Sequence, residues 1–180
     1  QYRRSEESWA EAGRPTATVR VGWQRRALTI DCDIRKRGPL TFARSDAENH
    51  LDNEHADING DGIQLYIDVP PGRSGWMLVP DAESTTGAVR SRMLEGWTTP
   101  RRLRARWERT HEGYRMRVRI ELPEAAGHGE VGVDVLINEK PPGRDRRRAQ
   151  LVLSGAEGEF VYLRGDRHDP ERLLRFRIVT

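Results

Sequence analysis

The sequence predicts an all-β protein, an antiparallel β-sandwich of about nine short strands with little helix, in a single domain spanning residues 1–180. Three observations predict it. Apolar and polar residues alternate with a period of two in one short run after another, the pattern of strands with one buried face. Clusters of Gly, Pro, Asn and Asp separate these runs at short intervals. No stretch keeps a helical period beyond a couple of turns, and no internal repeat competes with this reading.

The elements follow in order. Residues 17–21 form a strand with Ala17, Val19 and Val21 inward, residues 23–26 a turn, and residues 27–34 the returning strand with Thr29, Asp31 and Asp33 outward. So short a connection makes a hairpin. Lys36-Arg37-Gly38-Pro39 breaks the pattern, and Ser45 with Glu48 has the spacing of a helix capping box. The stretch DNEHADINGDGIQLYID, residues 52–68, couples a polar loop to a strand with Ile63, Leu65 and Ile67 on one face and Gln64, Tyr66 and Asp68 on the other. After a turn over residues 69–75 comes a short strand at 76–79. Residues 101–109 and 114–122 form a second hairpin around Thr110-His111-Glu112-Gly113, which sets Trp107 against Met116 and Ala105 against Val118. Its outer face then carries Arg104, Arg106, Arg115, Arg117 and Arg119 in facing rows, a ladder of like charge that calls for a neutralising partner or a well-solvated face. Strands at 131–137, 150–154, 160–163 and 173–179 complete the set.

Composition narrows the function classes. Hydrophobic residues make up 36% and charged residues 33%, which suits thin layers with solvated outer faces. Only Lys36 and Lys140 are lysines, so 29 of the 31 basic residues are arginines. A GC-rich bacterial genome produces that bias; the guanidinium also pairs bidentately with carboxylate, sulfate or phosphate. The 28 acidic residues that offset it argue against nucleic acid as a partner. Cys32 is the only cysteine, in the apolar phase of its strand, and reads as a small buried hydrophobe. No apolar run approaches membrane-spanning length, so membrane insertion is not expected. The chain opens QYRRSEESWAEAG, without a methionine or a signal peptide, and is read as a domain excised from a longer, multidomain protein.

The loop ahead of Ile63 collects hard oxygen donors. Asp57-Ile58-Asn59-Gly60-Asp61-Gly62 has the opening pattern of a calcium loop, and Asp52, Asn53, Glu54, Asp57, Asn59 and Asp61 form a candidate calcium set. Asp68 stands at the twelfth position, but an extended strand puts it roughly 20 Å from Asp61, too far to close the same cage. Asx turns explain the same residues without metal. The histidines, His50 and His55 beside this loop among them, have no zinc-motif spacing. No nucleophile elbow, P-loop or dinucleotide fingerprint is present, so no enzymatic activity is expected.

Several segments together resemble a known family. Arg20-Val21-Gly22-Trp23 followed by Leu28-Thr29-Ile30 is similar to the opening hairpin of the family-9 carbohydrate-binding modules, a branch of the DOMON-like β-sandwiches. Gly60 through Asp68 resembles that family's D-S-V-E-I-F-I-D strand, Glu112-Gly113-Tyr114 through Ile120 its G-Y-x-x-E-x-x-I strand, and Val131 through Glu139 its I-G-F-x-x-x-V-N-D segment. Trp9 stands where the family has an early tryptophan, and the order of segments is kept over nearly the whole chain.

The resemblance implies a sugar-binding appendage of a larger secreted, periplasmic or cell-surface protein. In the family two aromatic rings sandwich the sugar while charged and amide groups grip its hydroxyls. By position, Ile58 replaces the first aromatic, Gln64 an acid, Met77 an arginine and Leu136 a glutamine; Asn138 is kept, and Phe160 or Tyr162 takes the place of the second aromatic. The candidate carbohydrate-binding residues are therefore Gln64, Trp76, Met77, Asn138, Arg144, Phe160 and Tyr162, with the arginine excess favouring an anionic glycan. The alternative is an interaction domain that docks onto a catalytic domain of the same chain through Ile58, Met77 and Leu136. A third reading, haem binding of the DOMON type, rests on Met77 at the family's ligand position.

Overall fold

The structure is a computed structural model that describes all residues except 45, 47, 51–52, 123–128, 156–159, 163–167 and 179–180. Its strands build two antiparallel sheets. The smaller consists of β2 (Thr16–Gln24), β3 (Ala27–Arg35), β7 (Leu103–Thr110) and β8 (Gly113–Glu121), in the order β2-β3-β8-β7. The larger contains β1 (Tyr2–Arg4), β4 (Gly62–Val69), β5 (Gly72–Pro80), β6 (Val89–Thr98), β9 (Glu130–Glu139), β10 (Ala149–Val152) and β11 (Leu174–Arg177). Its order is β1-β10-β9-β4-β5-β6, with β11 extending the β10 row along β9. The only helical elements among the described residues are 3-10 turns at Ala56–Asn59 and Pro170–Arg172.

Both predicted hairpins form, and the second does so in the predicted register. Val21 faces Ile30 and Trp23 faces Leu28; Trp107 faces Met116 and Ala105 faces Val118. The first closes more tightly than expected, on Arg25 and Arg26 alone, both with positive φ (47° and 65°). That is the backbone of a two-residue turn whose twist matches the strands it joins. Between the sheets, Leu28, Ile30, Leu65, Ile67, Met116 and Val133 pack with their strand neighbours into one continuous core. Cys32 lies within it, as its phase requires.

The differences lie mostly in the larger sheet. β6 escapes a period-two reading because Met93 pairs with Trp76 but Thr98 pairs with Ser74, so the strand bulges between them. β1 is too short to carry a pattern. The strand expected at 160–163 reduces to a single bridge from Phe160 to Arg4, with residue 163 outside the described set. β5 starts at Gly72, so most of the expected turn at 69–75 is strand, and the chain reverses at Pro70-Pro71 through a cis peptide. The capping-box expectation needs Ser45, which lies outside the described residues.

The largest difference is that the centre of the larger sheet, β4, β5 and β9, is buried on both faces. Gln64 and Tyr66, expected to point into solvent, are fully buried. Tyr66, Met77, Val79, Leu94, Trp97, Leu136, Val152 and Leu173 form a second core on the sheet's outer side, closed over by loops. Trp97 meets Tyr66 edge-on at 5.0 Å between centroids, and the His168 ring tilts over Tyr66 at 4.5 Å. The molecule is thus three layers deep on this side. The reason is in β9, whose residues after Glu130 are all buried, as a strand covered on both sides requires.

Candidate functional site

The residues singled out from the sequence divide between the two faces of the larger sheet. Gln64, Asn138 and Gln150 stand on neighbouring strands with side chains on the outer face, where they bond to one another. The Gln150 amide donates to Gln64 Oε1 at 2.6 Å and to Asn138 Oδ1 at 2.8 Å, and Arg3 donates to Gln150 Oε1 at 2.8 Å. Asn138 in turn donates to the Ile58 carbonyl at 3.1 Å. Gln64 and Asn138 are therefore brought together as expected, yet they are 0% and 1% exposed, spending their polar groups inside the protein. Buried amides are tolerated only when hydrogen-bonded, and this network supplies most of those bonds; Gln64 Nε2 finds no partner among the described residues.

Met77, Ile58 and Leu136 also lie beneath the surface, each at most 1% exposed. The docking surface they were expected to form does not exist, because they are part of the packing under the loops. Met77 sits in the second core with its sulfur 3.7 Å from the Asn138 amide, and so presents no open ligand position to a haem. Trp76 points the opposite way, into the core between the sheets, and cannot share a site with Gln64. Arg144 is held by Glu6, with Glu7 at 4.0 Å. Phe160 and Tyr162 are exposed; Arg4 lies over the former at 5.4 Å and Arg146 over the latter at 4.5 Å, while the Tyr162 hydroxyl donates to the Arg147 carbonyl at 2.7 Å.

The acidic loop does not gather into a cage. Asp61 is fully buried and receives Lys36 Nζ at 2.7 and 2.9 Å together with the backbone N–H groups of Thr41 (2.6 Å) and Lys140 (3.2 Å). Asp57 is forked by Arg92 at 2.7 and 2.8 Å. Asn59 Oδ1 accepts the Arg147 N–H at 3.3 Å. Each of these candidate ligands is aimed at a different protein donor. Among the described residues no three or more His, Cys, Asp or Glu side chains converge as a metal site would need. Asn53 is exposed, Glu54 half-buried, and Asp52 lies outside the described residues.

What this loop does build is a cavity at the rim of the larger sheet. The segment 41–43 runs so close to Gly60 that a Cβ there would lie 2.4 Å from the Ala43 nitrogen, and Asp61 ties Thr41 and Lys140 to the same point. The resulting pocket has a volume of about 490 Å³ and is lined by Phe42, Asn49, His50, Asn59, Lys140 and Asp145, among others. It combines one half-buried aromatic ring with amide, imidazole, ammonium and carboxylate groups, the composition of a site for a small polyhydroxylated ligand. Sequence reasoning placed Asn59 and His50 near a site but missed Phe42, Asn49, Lys140 and Asp145. They come from two loops about 100 residues apart, and only their closeness to Asp61 and Asn138 in the chain hinted at them.

The fold is an antiparallel β-sandwich with this cavity built from loops at the rim of its larger sheet. The chain shares this fold with the family-9 carbohydrate-binding modules. It matches such a module from Caldicellulosiruptor kristjanssonii in complex with glucose at a TM-score of 0.65 and 14% identity, over 98% of this chain and 83% of that one. A module of the same family and organism in complex with cellotriose matches at a TM-score of 0.55 and 16% identity, over 80% of this chain and 68% of that one. No protein-family model matches the sequence, and no curated protein matches it at a significant level.

Proposed function

We propose that this chain is a non-catalytic carbohydrate-binding domain of a larger extracytoplasmic bacterial protein, and that it takes a glycan, preferentially an acidic one, in the rim cavity beside Phe42. The observation that carries the reading is the cavity itself, polar groups around one aromatic ring, in a fold whose neighbours were solved with glucose and cellotriose. The volume of about 490 Å³ suits a mono- or disaccharide. Phe42 is braced edge-on by Trp107 at 5.0 Å, so it offers a rigid apolar patch for a sugar face. Arg44 and Lys140 line the cavity beside Glu48 and Asp145, so the preference for a ligand carrying carboxylate or sulfate rests on the arginine excess of the chain.

The test is thermal unfolding with neutral and acidic mono- and oligosaccharides, for the unaltered chain and for Lys140→Ala with Asp145→Ala. A ligand that binds only the folded state raises the melting temperature by mass action. A sugar-dependent rise that the double variant lacks is the expected result. A rise unchanged in the variant moves the site elsewhere, and no rise with any sugar overturns the reading.

A further inference from the structure

The outer face of the smaller sheet is open to solvent and carries an unusual charge arrangement, visible once the register is followed across the strands. One row reads Thr18, Asp33, Arg115, Glu108, and there Arg115 bonds to both acids at 3.2 and 3.0 Å. Next comes Arg20, Asp31, Arg117, Arg106, and after it Gly22, Thr29, Arg119, Arg104. Beyond these, Arg102 faces Glu121 at 3.8 Å. The outer rows are neutral or acidic, while the two middle rows hold five arginines against Asp31 alone. Arg117 reaches Asp31 at 3.1 Å with both side chains well exposed, a pairing weak enough to be exchanged for a ligand. Arg20, Arg104, Arg106 and Arg119 have no ion pair among the described residues.

Two like-charged pairs, Arg106 with Arg117 and Arg104 with Arg119, therefore stand directly opposite each other across β7 and β8. Facing like charges work against the sheet unless an anion sits between them. Partners across strands are about 5 Å apart, and successive outward residues on a strand about 6.6 Å apart. The four guanidiniums make a block with room for two anionic groups in series, each within reach of a facing pair. The same residues, with Thr29 and Asp31, line a shallow cavity of about 560 Å³.

We propose that this block is a second binding surface, for an acidic polysaccharide that presents two carboxylate or sulfate groups along its length. A guanidinium fork matches either group bidentately. The acids at both ends of the block limit it to a short stretch, which suits spaced charges better than a long, densely charged backbone. The outward positions of the four strands include no aromatic side chain, and Trp107, which borders the cavity, is an inward-phase residue whose ring packs against Phe42 at 5.0 Å. Single-stranded nucleic acid, which binds such sheets by stacking bases on rings, is therefore disfavoured, as is a neutral sugar. The assignment rests on reading the chain as a glycan-recognition domain, but it lies on the other sheet from the Phe42 cavity, and the two are separable by experiment.

That experiment is titration calorimetry at low salt with a sulfated heparin tetrasaccharide, an oligogalacturonate and a dextran oligosaccharide, plus an oligothymidylate matched in charge. The proteins are the unaltered chain, Arg104→Gln with Arg119→Gln, and Arg37→Gln with Arg177→Gln, which removes the same charge from other exposed sites. The expected result is binding of at least one acidic oligosaccharide that weakens on the order of tenfold or more in the Arg104/Arg119 variant and with added salt, and changes little in the control. The sulfated and uronate arms name the group recognised. Equal weakening in both variants, tighter binding of the oligonucleotide, or no binding of either acidic probe overturns the proposal. Because all four substituted arginines are exposed or half-exposed, an unchanged melting temperature verifies that each variant is folded. A fourth protein, Lys140→Ala with Asp145→Ala, is titrated alongside, and loss of binding in it alone would favour the rim cavity and sink this second surface instead.

Discussion

Replacing Lys36 by methionine isolates what holds the rim together. The Lys36 ammonium and the Asp61 carboxylate have side chains 3% and 0% exposed, with the nitrogen 2.7 Å from the nearer oxygen. Lys36 also donates to the Lys140 carbonyl at 3.1 Å, so three loop segments meet on this pair. Removing one member of a buried pair leaves the other uncompensated, which costs about 3–5 kcal/mol. A domain of this kind is stable by roughly 5–15 kcal/mol, so the loss is a large share of the total. Burial pushes the Asp61 carboxyl above the ordinary carboxylate range, while Lys36 pulls it back down. Without Lys36 that pKa rises further. A carboxyl whose folded-state pKa exceeds its unfolded value makes the folded state the better proton binder, so its stability falls as pH rises through the folded pKa. The deficit of Lys36→Met relative to the unaltered chain is therefore largest at neutral pH and shrinks on acidification. Urea unfolding at pH 7 and pH 5 measures both, and the cycle with Asp61→Asn should give a coupling of about 1–3 kcal/mol. A deficit below about 1 kcal/mol, the value of an exposed pair, refutes the reasoning, as does a deficit that grows toward low pH.

Two further outcomes follow from burial. Met77→Ala opens a hole in the second core and should cost about 2–5 kcal/mol in urea unfolding, whereas a residue on an open docking surface would change stability by less than about 0.5 kcal/mol. Burial also pushes the Cys32 thiol up to about 12. The native protein should accordingly resist a thiol-reactive dye at pH 8 and react fully once denatured; rapid reaction of the native protein would place Cys32 outside the core.

One side of the sandwich was legible in the sequence and the other was not. Strands with one wet face announce themselves by alternation, which is why the β2–β3 and β7–β8 hairpins, the register of the second and the arginine ladder could be read in advance. Gln64 and Tyr66 follow the same alternation but are buried, because alternation reports polarity and says nothing of what lies above the sheet. Gln64 finds its partner 86 residues away at Gln150, a pairing that only the tertiary fold creates. A signal was nonetheless present: the continuous apolar run of β9 and the WMLV stretch of β5 mark strands with two dry faces. The acidic loop misled for a related reason. Asp57 and Asp61 have the spacing of metal ligands, but Arg92 and Lys36, distant in sequence, reach them first.

The loop layer over the larger sheet has a consequence for how the molecule can change. On β4 and β9 a substitution on either side disturbs packing, so variation there requires compensating changes in the loops as well. On β7 and β8 every second position faces only water and its strand neighbours, and can be rewritten while the core side stays intact. New surface chemistry can thus be placed on the bare sheet at little risk to the fold, and the arginine block stands on that face.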